Sequence, residues 1–302
     1  MFFKNAIACR FSQPVTLTPD ELEAKLATLP FRHCGQLEQM TVGFTPPLGR
    51  HSEQLVHTNK GRLMICATRE DRILPSSVVN ERLAEIVEGI EVSGNRKVGR
   101  KEKKEIQEKV VLELLPRAFA KSSSTYAYID TRKGWLIVDA SSANKAEEVV
   151  SLIRKAVESL PVARPVTAVA PAFAMTQWIA NQESPEHFVV GEECSFVDPK
   201  NGALVRCKGK DLGSAEVRNH IETGMQVSPL ALTWEDRISF SLDASLAIRK
   251  IKYLEGVMEA AAEIDAEDIA QRFDADFHIM AAELAGLLDN LIEAFGGEKN
   301  EQ

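Results

Sequence analysis

Residues 95–121 constrain this chain most: they carry nine Lys or Arg against four Glu, a local charge of +5, in a 302-residue protein whose net charge is −8. From Ile106 on, the apolar residues Ile106, Val110, Val111, Leu114 and Leu115 recur at helical spacing, giving one buried stripe beneath a basic surface. Pro116 ends that helix and starts a loop presenting Arg117, Phe119 and Lys121. A second helical period covers 76–92, and Ser93-Gly94-Asn95 supplies the turn between the two. Apolar runs at 63–68, before this pair, and at 125–130 and 135–139, after it, read as strands. A helical hairpin inserted between strands excludes an all-α bundle and an all-β sandwich. A solvated, charge-mixed helix face gives the same basic run as an arm facing a polyanion.

The rest of the chain fits an α+β protein. A strand over 2–11 leads to Thr18-Pro19-Asp20-Glu21, where a Thr cap, a Pro at the first helical position and acids in the first turn announce a helix. Leu22, Leu26 and Leu29 form its buried face, and Pro30 stops it. A short strand follows at 40–44, and 143–160 is amphipathic. The proline-marked stretch 161–171 reads as a linker. Beyond it come a helix at 174–181, strands at 188–190, 195–197 and 203–208, a short helix at 214–221, and strands at 226–232, 236–242 and 247–252. A long helix over 265–295 repeats apolar residues every three or four positions, and Gly296-Gly297 closes it. The expected units are a central α+β domain (1–74 and 122–166), a helical tip (75–121) and a C-terminal α+β base (167–302), with antiparallel sheets and flanking helices.

Hydrophobic residues make up 44% and charged ones 26% of the sequence, a globular profile. No apolar run approaches the roughly 18 residues needed to span a bilayer, and residues 1–12, interrupted by Lys4 and Arg10, do not read as a signal peptide. Cys9, Cys34, Cys66, Cys194 and Cys207 are scattered, without a Cys-x-x-Cys pair. That spacing fits a reducing cytoplasm and opposes a zinc site or a disulfide framework.

Catalytic signatures are sparse. No phosphate-binding Gly-rich loop, dinucleotide fingerprint or nucleophile elbow is present. His51, Glu53 and His57 share a loop, but a spacing of six between the histidines matches no helical ligand pair. Asp274 and Asp276 stand two apart on a helix and read as solvated face. Asp130 and Asp139 bracket the hairpin around Trp135. Such a pair can hold magnesium in a nuclease, but without a third acid or a nearby lysine in a recognisable order, turn or cap roles account for it better. Trp135, Trp178 and Trp234 read as core.

The cations are more coherent. Lys97, Arg100, Lys101 and Lys104 lie in the arm, Arg132 and Lys133 at a hairpin tip, and Arg249, Lys250 and Lys252 near a late strand. Arg206, Lys208 and Lys210 alternate, so on a strand all three point to one face. A charged edge that resists aggregation gives the same pattern. Residues 255–302 hold thirteen acids against Arg272 and Lys299, a local charge of −11, so the remainder sums to +3. That asymmetry suits a protein with one phosphate-binding surface and another that repels phosphate. Without a helix-turn-helix, zinc finger or stacking motif, backbone binding is expected rather than sequence readout.

Pro46-Pro47-Leu48-Gly49-x-His51-Ser52, Ile73-Leu74-Pro75-Ser76, Leu114-Leu115-Pro116-Arg117-Ala118-Phe119 and Gln271-Arg272-Phe273-Asp274-Ala275-Asp276-Phe277 together resemble the bacterial RdgC family of recombination-associated proteins, end to end and in order. The resemblance implies a homodimer closed at two interfaces into a ring. Double-stranded DNA passes through a positively lined hole without sequence preference, in the cytoplasm and on the nucleoid. It also implies antagonism of the RecA recombinase, with no cofactor, no metal and no catalytic residue. The row Arg206, Lys208, Lys210 matches the family's DNA-facing segment in position. Gly209 and Met225 stand where related sequences can carry lysine, which makes this lining less basic. Phe119, beside Arg117, is the expected anchor of one subunit interface, and a sheet edge in the second α+β block the other.

Overall fold

The computed structural model describes residues 1–209 and 212–299. Its first sheet has seven antiparallel strands: β1 (Ile7–Phe11), β2 (Met40–Thr45), β3 (Val56–Asn59), β4 (Arg62–Ile73), β5 (Phe119–Asp130), β6 (Trp135–Val138) and β7 (Val162–Ala163). They run in the order β2-β4-β5-β6-β1-β7, with β3 also on β4. One face of this sheet buries Ile7, Ile65, Ile129 and Leu136 against two helices, α1 (Pro19–Leu26) and α4 (Ala143–Val157). As the sequence indicates, Thr18 starts α1 with a reciprocal cap: its backbone N–H donates to Glu21 Oε2 at 2.9 Å, and its hydroxyl accepts from Glu21 N at 3.3 Å.

Between α1 and α4 the chain forms a long ribbon. β4 and β5 pair over twelve residues, from Arg62 opposite Asp130 to Ile73 opposite Phe119. At its far end stand α2 (Ser76–Gly94) and α3 (Arg100–Leu114), the expected helical hairpin, turned by Asn95 in the left-handed region (φ 43°) that Asn tolerates. Val79, Leu83, Val110 and Leu115 form its small core. Phe119 is the first residue of β5 rather than part of a loop, because the chain pairs with Ile73 directly after the short turn at Pro116.

The outer ribbon is polar, so packing alone does not hold it. Buried Glu70 supplies polar anchors: it accepts from Cys34 N at 2.8 Å and Ser122 Oγ at 3.0 Å, and His33 Nδ1 lies 2.7 Å away. Those partners, the Cys34 amide foremost, hold its carboxyl down to about 2. Gly43 is fixed by proximity, since residues 29–31 cross β2 and a Cβ at 43 would stand 2.5 Å from Phe31 Cα.

The second sheet has five antiparallel strands, β8 (Phe188–Val197), β9 (Leu204–Lys208), β10 (Gln226–Trp234), β11 (Ile238–Leu242) and β12 (Ile248–Tyr253), in the order β12-β11-β10-β8-β9. The two strands expected at 188–190 and 195–197 are one, with register shifts against β10 between them. Lys4 and Ala6 cover the outer side of β12, where Ala6 N donates to Ile248 O at 2.8 Å and Ile251 N to Lys4 O at 2.9 Å. β9 is the opposite edge.

Helices α5 (Pro171–Asn181), α6 (Ala215–Glu222), α7 (Glu255–Glu263) and α8 (Ile269–Ala294) complete an α+β fold of eight helices among the described residues. The 26-residue α8 joins the two halves. Phe277 meets Tyr128 of β5 edge-on at 5.5 Å, while Gly286 lets Trp234 of β10 approach so closely that a Cβ would stand 3.0 Å from its ring. Asp274 and Asp276 are not simply solvated. His57 Nε2 lies 3.0 Å from Asp274 Oδ1, and Asp276 receives the α-amino group of Met1. Trp135 and Trp234 are buried, and Trp178 stacks on Phe295 at 5.2 Å. All five cysteines are free thiols, and no helix among the described residues is long and apolar enough to cross a membrane.

Glu70→Gln tests the clamp on the ribbon. The unfolded carboxyl titrates near 4.5 and the folded one near 2, so the charged form's stabilisation is complete above about pH 5 and fades as pH falls toward 2. Melting curves should place the variant below the wild type at pH 7, with the gap narrowing steadily on acidification through that window. A constant gap would assign the loss to packing instead.

Candidate nucleic-acid interface

β9 alternates as its sequence indicates. Val205 and Cys207 turn inward, half-buried, toward a core that includes Phe196, Val227 and Leu230, while Leu204, Arg206 and Lys208 turn outward. The register carries that outward face across the sheet. Arg206 lies opposite Ser195 and Lys208 opposite Glu193 on β8. At the other edge, Lys252 lies opposite Ser239, which in turn faces Thr233. Lys250 and Lys252 are exposed; Arg249 is tied to Asp243 at 2.8 Å. Four strand spacings separate the two edges, about 19 Å. The result is a sheet with one face in the core and another that has exposed cations along both edges, with Glu193, exposed Val189 and the hydroxyl residues Ser239 and Thr233 between them. Cations spaced in this way have the chemistry to contact the phosphates of a polyanion.

Lys208 is not bare: its Nζ lies 3.1 Å from Glu193 Oε1. The hydrogen bond from Lys208, then its charge and more weakly those of Lys250 and Lys252, holds the Glu193 carboxyl below its ordinary range. The sequence groups Lys250 and Lys252 with the basic residues but cannot place them on this face, which depends on the register from β8 to β12. Lys210 lies outside the described residues.

The arm carries its own cations. Arg100, Lys101 and Lys104 line a groove of about 640 Å³, shared with Lys103, Asn80 and Leu83. Lys97 is exposed, while Arg96 is tied to Glu102 at 2.6 Å. Phe119, at the root of the arm, is 83% exposed, and Arg117 is exposed as well.

Arg132 and Lys133 do not join the arm. They sit in the β5–β6 turn at the opposite end of the twelve-residue β5, about 36 Å along the strand from Phe119. Lys133 is held by Asp289 of α8. Asp130 accepts from Arg132 N at 3.1 Å, Lys133 N at 2.9 Å and Arg62 Nε at 3.1 Å, and Asp139 accepts from Asn5 N at 2.9 Å. Asp139 N donates to Tyr126 O, four residues along β5 from Asp130 and thus about 13 Å away. The two carboxylates anchor backbone and are too far apart to share one ion. Among the described residues, no three His, Cys, Asp or Glu side chains are grouped as a metal site.

A family model described as "Putative exonuclease, RdgC" matches residues 1–298. The chain belongs to the RdgC family. Proteins named "Recombination-associated protein RdgC" resemble it over 99% of both chains, at 40% identity in Yersinia enterocolitica serotype O:8 / biotype 1B and at 39% in Yersinia pestis strain Pestoides F and Yersinia pseudotuberculosis serotype O:1b. The RdgC-like motifs acquire physical roles here. In 271–277, Arg272 donates to Ala261 O at 2.6 Å, Phe273 meets His57 edge-on at 5.0 Å, and the two Asp side chains hold β3 and the N-terminus. In 114–119, buried Leu115 seats the arm and Pro116 turns the chain toward exposed Phe119.

Exposure separates those two residues experimentally. Phe119→Ala should shift the unfolding free energy of the isolated subunit by no more than about 0.5 kcal/mol, whereas Leu115→Ala should cost about 2–5 kcal/mol. Urea unfolding of both variants at low protein concentration checks the contrast.

Proposed function

We propose that this chain binds double-stranded DNA without sequence preference, as a homodimer that closes around the duplex, and limits RecA-driven recombination by occupying duplex. The carrying observation is the outward face of the five-stranded sheet, where Arg206, Lys208, Lys250 and Lys252 stand exposed on an otherwise acidic protein. The cations in the groove of the arm give a second surface for the same ligand. Membership of a family whose relatives are named recombination-associated supports DNA as the polyanion. The antagonism of RecA and the place on the nucleoid come from the family resemblance.

Phe119 supports the dimer. An aromatic side chain at 83% exposure suits an interface anchor. At the root of the arm a groove of about 380 Å³, lined by Met40, Val79, Val111 and Leu115 but also by Arg69, Asp71 and Arg72, is a mixed surface against which a second copy could pack. The reading is non-catalytic. Asp130 and Asp139, the carboxylates that a nuclease reading requires, are committed to the backbone of the fold.

Arg206→Ala with Lys208→Ala should weaken binding equally on unrelated duplex sequences, and the log–log salt slope should fall by about 0.9 for each phosphate no longer neutralised. Fluorescence anisotropy from low to moderate salt measures both. An unchanged slope would remove β9 from the DNA surface. In the same reactions, magnesium should yield no cut product; cleavage that survives purification and disappears in Asp130→Asn would establish the nuclease reading instead. Phe119→Ala should shift the dimer toward monomer in sedimentation, weakening association by about 2 kcal/mol or more.

A further inference from the structure

Glu193 is an acid in the middle of a cationic face, and the fold gives it no evident structural duty. Its side chain is 47% exposed, and its partner Lys208 is 81% exposed. A solvent-exposed cross-strand pair of this kind contributes little to stability. If the cations on β9 only protected a sheet edge from aggregation, a facing carboxylate would weaken that protection.

The position of Glu193 is the one a bound anion would take. The register sets Glu193 directly opposite Lys208, on the face that carries Arg206. The direct contact is with Lys208, whose Nζ lies 3.1 Å from Glu193 Oε1; Lys252, three strands away on the same face, adds positive charge at longer range across Ser239 and Thr233. A phosphate diester offers the same features, a single negative charge shared by two oxygens that accept from ammonium groups.

We propose that Glu193 is a built-in competitor for duplex phosphate: in the free protein its carboxylate occupies the phosphate position beside Lys208, and DNA displaces it on binding. This rests on the duplex-binding reading above. Glu193 then sets how tightly the sheet face grips DNA. While the carboxylate is in place it repels an incoming phosphate and holds Lys208 back from neutralising one, so the face binds fewer phosphates than its cations allow. A protein that must move along or leave duplex gains from a grip attenuated in this way.

Glu193→Gln removes the charge while keeping the shape. Its affinity for a mixed-sequence duplex at roughly 0.1 M salt should rise about fivefold, and its log–log salt slope should steepen by about 0.9, the increment for one further phosphate neutralised. In a Lys208→Ala background the same substitution should gain much less, because the main cation it restrains is gone. Glu193→Ala should reproduce the gain if charge rather than the amide is responsible, and matching melting curves would show that each variant is folded. A folded Glu193→Gln protein that binds no tighter than wild type, while wild type itself binds duplex with a clear salt dependence, overturns this proposal and leaves the DNA reading standing. A wild type that binds no duplex at any salt removes both.

Discussion

Helix α8 is the constraint on which both halves of the molecule depend. It buries Phe273, Phe277, Met280, Leu284, Leu287, Leu288 and Leu291, so that neither sheet presents its inner face to water. Each fully buried side chain of this size contributes about 1.5–3 kcal/mol, against the entropy of ordering two sheets around one helix. The apolar stripe does not act alone. Polar side chains of α8 fix the register: Glu283 holds Arg237, Asn290 accepts from Trp234 Nε1 at 2.8 Å, and Asp274 and Asp276 hold His57 and the N-terminus. These bonds set the second sheet's inner face against the core and thereby decide which face is left for Arg206 and Lys208.

The electrostatics follow from that arrangement. An acidic C-terminal segment suggests a surface that simply repels nucleic acid, yet several of its acids neutralise cations elsewhere in the fold. Asp289 takes Lys133, Glu298 takes Arg10 and Glu283 takes Arg237. Lys133, expected among the DNA-facing cations, is paired with Asp289 here. Exposed cations remain on the sheet face and the arm, as well as at scattered positions such as Lys4, Arg50 and Lys155, and Glu193 and Glu102 temper Lys208 and Arg96. Net charge therefore says less about binding than the identity of the cations left without internal partners.

Structure is legible in the sequence where one element carries its own signal. The Thr18 cap, the two arm helices, the alternation in β9 and the apolar period of α8 can all be read from spacing. β3, β7 and α7 leave too little trace: the first two are four and two residues long, and α7 is a short helix that precedes a much stronger pattern. The outer half of the β4–β5 ribbon is hidden for another reason. Arg69-Glu70-Asp71-Arg72 facing Lys121-Ser122-Ser123 shows no apolar alternation, and its stability comes from hydrogen bonds to the distant 33–34 loop. The pairs His57–Asp274 and Met1–Asp276 join residues more than 200 positions apart, which no local pattern reveals. Of the site, the β9 row is visible as a period of two; its continuation through Lys250 and Lys252, and its restraint by Glu193, belong to strand register.

The central claim is that the protein encloses duplex rather than merely adhering to it. A binder on an open surface leaves circles and linear fragments alike once salt screens its charges, because counterion release is indifferent to ends. An enclosing dimer leaves a linear fragment by sliding off its end but leaves a circle only by opening an interface. The direct measurement loads the protein on nicked circular and on linear duplex, crosslinks the subunit interfaces, raises the salt and compares what stays bound. Enclosure predicts retention on the circle and release from the linear fragment; equal release from both, with the interfaces crosslinked, would contradict it.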